Sequence, residues 1–119
     1  MTQFIQVITT VGSRGEAERI AAQLVDLRLA ACVQIVGPVS STFRWREEIE
    51  ISEEWLCVAK STRDSFPAIE RQIRALHSYE LPEIVALPIV AGSSDYLAWI
   101  SREVAPQEAS LDTSSSAGN

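Results

Sequence analysis

Apolar residues fall along this chain in two rhythms, and each rhythm predicts an element. The run FIQVITTV, residues 4 to 11, is short, β-branched and bounded by Gly12 and Ser13, which predicts a buried strand. From Glu16 the period lengthens: Ala17, Ile20, Ala21, Leu24 and Leu27 recur at three- and four-residue steps. That spacing predicts a helix capped by Ser13, with Glu16, Glu18 and Arg19 toward solvent. ACVQIV, residues 31 to 36, restarts a strand, and Gly37-Pro38 interrupts it, because proline cannot donate to the ladder and suits an edge or a bulge. Beyond the break, Phe43, Trp45, Ile49 and Ile51 alternate with Thr42, Arg44, Arg46, Glu48 and Glu50. This period of two predicts a strand with one apolar face running through Ile51, with WLCVAKS (55 to 61) as its return. The middle of the chain therefore reads as an extended hairpin.

Helical spacing returns at Phe66, Ile69, Ile73 and Leu76, with Pro67 suited to a first turn and Glu70, Arg71 and Arg74 on the wet face. Pro82 disfavours helical geometry at Leu81, so HSYELPEI (77 to 84) is a helix-to-strand corner, followed by the strand EIVALPIV. After Asp95 a short third helix carries Tyr96, Leu97, Trp99 and Ile100. The order β-α-β-β-α-β plus a helix implies an α+β fold: an antiparallel four-stranded sheet with two helices on one face. The other face then lacks cover within the chain, which points to self-association through that face and the long hairpin. Residues 1–105 form a single domain in this reading. Residues 106–119 are a disordered tail, since QEASLDTSSSAGN offers little apolar surface to offset its ordering entropy.

Composition narrows the function. With 119 residues and a formal charge of -6, the chain lacks the clustered Lys and Arg that a phosphate-tracking surface needs, so no nucleic-acid partner is expected. The opening MTQFIQVITT is not a secretory signal, and no apolar stretch reaches membrane-spanning length; a cytoplasmic location without a membrane partner is the expectation. Cys32 and Cys57 each sit in an apolar run and read as buried thiols rather than a disulfide. A closed four-ligand zinc site has no support, because neither CxxC nor HxxxH occurs.

The chemistry-bearing candidates are few. His77, the only histidine, stands beside Glu80 and Glu83, and a neutral imidazole with carboxylate oxygens suits a metal; a capped helix end needs no ligand at all. FRWREEI (43 to 49) sets Arg44 and Arg46 against Trp45, a pairing common at interfaces between subunits. No GxSxG, phosphate loop or GxGxxG occurs, so neither an enzyme nor an organic cofactor is expected.

Taken together, ACVQI (31 to 35), FRWREEI, EWLCVAKS (54 to 61), HSYELPEI and YLAWI (96 to 100) resemble the CutA divalent-cation tolerance proteins from about Gln3 to Val104. The resemblance implies a ferredoxin-like split β-α-β sandwich assembled as a homotrimer similar to the PII signalling proteins. It also implies binding of copper or another divalent cation in a response to metal ions. Carried over by position, it implies Cys32, His77 and Glu80 as metal ligands, and Trp45, Glu54, Lys60, Tyr79, Pro82, Glu83, Tyr96 and Trp99 around clefts between subunits. Ser78, Gln34 and Phe43 depart from the usual proline, asparagine and tyrosine, and the glycine common after the tryptophan is missing. Cys32, His77 and Glu80 together would suit Cu(II) or Zn(II), with sulfur also accepting Cu(I). The alternative is a PII-like trimeric scaffold whose clefts take a small anionic ligand or partner protein through Lys60 and the arginines, without a metal.

Overall fold

The computed structural model describes residues 3–107. Its elements run β1 (Phe4–Val11), α1 (Arg14–Asp26), β2 (Cys32–Trp45), β3 (Glu48–Thr62), α2 (Phe66–Leu76), β4 (Ile84–Pro88) and α3 (Ser94–Glu103), with a 3-10 turn at Arg63–Ser65. The strands form one antiparallel sheet ordered β2-β3-β1-β4, the split arrangement that the element order implies. Both helices α1 and α2 cover one face. Ala17, Ile20 and Leu24 of α1 and Ile69 and Ile73 of α2 interlock with Ile5, Val7, Val11, Cys57 and Ala59 of the two central strands. Each fully buried isoleucine contributes about 1.5–3 kcal/mol of transfer free energy, which makes this layer the main source of stability.

Local chemistry sets the helix limits. The Ser13 hydroxyl accepts from the Glu16 N–H at 3.1 Å and starts α1. At its far end Arg28 adopts a left-handed φ of 59°, and the N–H groups of Leu29 and Ala30 turn back onto the Leu24 carbonyl. Pro67 occupies the first turn of α2, and α2 stops where His77 becomes extended. The tail expected after residue 105 lies almost wholly outside the described residues.

The hairpin is as long as its sequence implies, but its turn is elsewhere. Trp45 pairs with Glu48, so the chain reverses at Arg46 and Glu47, with φ of 52° and 70°. Both values are positive, as in a type I′ hairpin turn, which ordinarily uses Asn or Gly at these positions, so this turn carries no sequence signal. Ile49 and Ile51 consequently belong to the return strand. The register sets them beside Arg44 and Thr42, while Phe43 and Trp45 share the other side of the arm with Glu50 and Glu48. The single apolar face read from the sequence is in fact two mixed faces. At Gly37-Pro38 the ladder shifts register between Val36 and Val39, as the proline requires.

The second sheet face is partly open. Strand alternation turns Cys32, Val36, Leu56, Val58, Lys60, Ile8, Val85 and Leu87 away from α1 and α2. Helix α3 crosses one end of this face, burying Ile100 and Val104. Arg28 holds it there by donating to the carbonyls of Arg102 and Glu103 at 2.8 and 3.1 Å, the free acceptors of a helix end. Elsewhere Val36, Val85 and Leu87 remain exposed, as do Ile49 and Ile51 on the arm. No helix among the described residues is long and apolar enough to cross a membrane.

Candidate functional site

The corner between α2 and β4 is held by two buried carboxylates. The His77 side chain is only 1% exposed. Its Nε2 lies 2.8 Å from the Thr10 carbonyl oxygen, and its Nδ1 accepts from the Tyr79 N–H at 3.1 Å. A carbonyl only accepts and an amide N–H only donates, so these partners assign the Nε2–H tautomer and occupy both ring nitrogens. Beside the ring lies the first carboxylate, Glu16, which accepts from the Ser78 N–H at 2.9 Å and from the Ser78 hydroxyl at 3.1 and 3.2 Å. Glu16 therefore points into the fold, not toward solvent as its helical position implies. A buried carboxylate needs donors in place of water, and Ser78 supplies two. Proline at position 78 would supply neither.

The second buried carboxylate is Glu54, at the root of the hairpin arm. Tyr79 Oη donates to its Oε2 at 2.8 Å. Burial first, and then this hydrogen bond and the charges of Glu54 and Glu16, push the Tyr79 hydroxyl up to about 12. Around this pair, Thr10 Oγ1 donates to exposed Glu83 at 3.5 Å, and the Arg46 guanidinium reaches Glu80 at 2.9 Å. Arg46 also lies over the Trp45 ring, 5.3 Å from its centroid, so the arm tip is tied to the corner. Pro82 is half-buried and holds the chain extended into β4.

A second group gathers at the other end of the open face. Cys32, half-buried, pairs in register with Lys60, whose Nζ donates to the Gln34 side-chain oxygen at 2.8 Å. The Tyr96 hydroxyl rests beside Cys32, and burial together with this thiol pushes its titration upward. Trp99 stacks on Tyr96 at 5.5 Å between centroids. Cys57, by contrast, is enclosed in the helix-side core, and burial and then the Glu16 carboxylate push its thiol up to about 11.

The positions implied by resemblance thus divide into a corner set (Trp45, Glu54, His77, Tyr79, Glu80, Pro82, Glu83) and an α3 set (Cys32, Lys60, Tyr96, Trp99). Cys32 lies opposite Lys60, while the His77 ring sits at Thr10, which lies opposite Leu56. Four strand residues separate those levels, about 13 Å at the usual rise, whereas ligands of one ion stand about 2 Å from it. Within a single chain Cys32, His77 and Glu80 therefore do not fit a common metal. No group of three or more His, Cys, Asp or Glu side chains among the described residues is placed to hold one. Sequence reasoning also missed Glu16 and Thr10. The Ser13-x-x-Glu16 spacing of a capping box was the available signal, but it points the carboxylate back to Ser13, not across to Ser78.

Comparison with known proteins returns one family. The model described as CutA1 divalent ion tolerance protein matches residues 5–103. The divalent-cation tolerance protein CutA of Thermus thermophilus is 46% identical over 94 residues, covering 79% of this chain and 91% of that protein. The CutA of Archaeoglobus fulgidus is 39% identical over 104 residues, covering 87% and 99%. A solved structure of the Thermus thermophilus protein superposes with a TM-score of 0.84 at 42% identity, covering 86% of this chain and 99% of that one.

Proposed function

Since the chain belongs to the CutA1 divalent ion tolerance family, we propose that it serves divalent-cation tolerance as a cytoplasmic, non-catalytic homotrimer whose intersubunit clefts take copper or another divalent cation. The observation that carries this reading is the open sheet face. Val36, Val85 and Leu87 stay exposed beside half-buried Leu56 and Val58, and the arm outreaches its own sheet. Neighbouring copies that cover this face account for both features. Cys32 supplies a half-buried sulfur on the same face. A cation site drawing on Cys32, His77 and Glu80 needs more than one copy. His77 joins it only by releasing the Tyr79 amide or the Thr10 carbonyl.

The occupation of both His77 nitrogens, and the Arg46–Glu80 pair, favour a second reading. In it the trimer is a scaffold that takes a small anionic ligand or a partner protein through Lys60 and the arginines, with no physiological metal. Calorimetric titration with Cu(II) and Zn(II) separates the two, run on wild type, Cys32→Ser and His77→Ala with the assembly checked in each sample. Binding at roughly micromolar affinity or tighter that is lost in either variant while the trimer persists supports the metal reading. Absent or unchanged binding leaves the scaffold.

A further inference from the structure

Among the described residues, the open face carries a carboxylate without a cation and a cation without a carboxylate. Glu54 is 6% exposed, and its one side-chain hydrogen bond among the described residues comes from an uncharged phenol. Among the described residues no Lys, Arg or His lies within ion-pair distance of it. Its second oxygen has no hydrogen-bond partner among the described residues and yet is not sealed from solvent, so an approach remains open. Lys60, half-buried on the same strand and the same side, is answered among the described residues only by the amide oxygen of Gln34. Six residues of strand separate them, about 20 Å, which their combined side-chain lengths do not span.

Burying an ion without its counter-ion is costly, and nearly enclosed carboxylates are ordinarily paired. An acid at one end of a surface and a base at the other, both unpaired in one copy, is the pattern of a head-to-tail interface. The end of one subunit meets the opposite end of the next, and a rotation that closes gives a ring. We infer that Glu54 of each subunit, oriented by Tyr79, accepts the Lys60 ammonium of the adjacent subunit, so that this pair sets the relative orientation of copies around the ring. The inference rests on the self-association proposed above and adds its register and its charge pair. It also gives the Tyr79 hydroxyl a task, since by filling one carboxylate oxygen it leaves the other aimed at the neighbour.

The test is a double-mutant cycle on the assembly of the full chain, run in EDTA and again with Zn(II), with Glu54→Gln, Lys60→Gln and the double variant followed by sedimentation at graded concentrations and circular dichroism confirming the fold. Each single variant is expected to raise the dissociation midpoint ten-fold or more, and the double variant to be no worse than the weaker single. The exchange Glu54→Lys with Lys60→Glu is expected to recover assembly that either reversal alone abolishes. A wild type that stays monomeric overturns the proposed self-association itself. An intact assembly whose midpoint ignores both single variants, or whose two losses simply add, overturns the pair while leaving self-association standing. So does an effect of Glu54→Gln that appears only with a divalent cation present, which would make Glu54 a metal ligand instead.

Discussion

Gly37 is where a single methyl group has the most to disturb. A Cβ at that position would stand 2.6 Å from the Trp55 ring and 3.2 Å from the Glu54 carbonyl oxygen, so the strand or the indole must move. Gly37→Ala should cost about 1–3 kcal/mol, read by urea denaturation as a lower midpoint at unchanged slope. Titration is the other residue-scale handle. The Cys57 thiol is raised from 9.0 to about 11 and the Tyr79 hydroxyl from 10.0 to about 12, in each case mainly by burial. Both groups keep their protons in the fold at pH values where the unfolded chain has released them. Their contribution is therefore complete below pH 9.0 and is lost as pH rises through about 11 and 12. Thermal melts from pH 8 to 12 should fall across that window, and Cys57→Ala should flatten the early part of the fall. Which residues carry such roles was only half legible. Cys57 read as a core thiol because its neighbours are apolar, whereas Glu16 read as a wet helix position because its partner Ser78 lies 62 residues away.

At the scale of elements, hydrophobic period fixed the strands and helices well, because each element has one face that must be buried. It failed at the arm tip. A reversal through Arg46 and Glu47 places two ordinary residues in left-handed geometry, at about 1–2 kcal/mol each relative to a relaxed backbone. Glu47→Gly should relieve part of that cost and raise the thermal midpoint without altering assembly; a lowered midpoint would mean that the Glu47 side chain makes a contact that outweighs it. Arg28 is the contrasting case, since its left-handed φ comes with a guanidinium on the last carbonyls of α3. Arg28→Gly keeps the turn and loses the clamp, so α3 should loosen while α1 keeps its end. Faster amide exchange at Ile100 and Val104, with no change at Ile20 and Leu24, is the expected signature.

For the whole molecule, the two central strands serve two sides at once. On β3, Cys57 and Ala59 belong to the helix layer, while Leu56 and Val58 belong to the open face. Ile69→Ala should cost about 2–5 kcal/mol at any protein concentration, because it opens a cavity within one chain. Leu56→Ala should instead lower the thermal midpoint most in concentrated samples, where association contributes most, and least in dilute ones. Equal losses at all concentrations would place Leu56 outside any interface.

The sheet order also has a consequence for the sequence of events during synthesis. β1 is made before both of its neighbours, yet it lies between β3 and β4, pairing Phe4 with Thr62 and Ile5 with Pro88. More than forty residues must follow before FIQVITTV meets a partner, Val11 pairing with Trp55, whereas β2 and β3 zip together locally around their own turn. For several seconds on a ribosome adding about 5–20 residues each second, the most β-prone stretch of the chain is a strand waiting for its sheet. The nascent protein is thus most exposed to mispairing, and most in need of a holding chaperone, at its first strand rather than at the arm that projects from the finished fold.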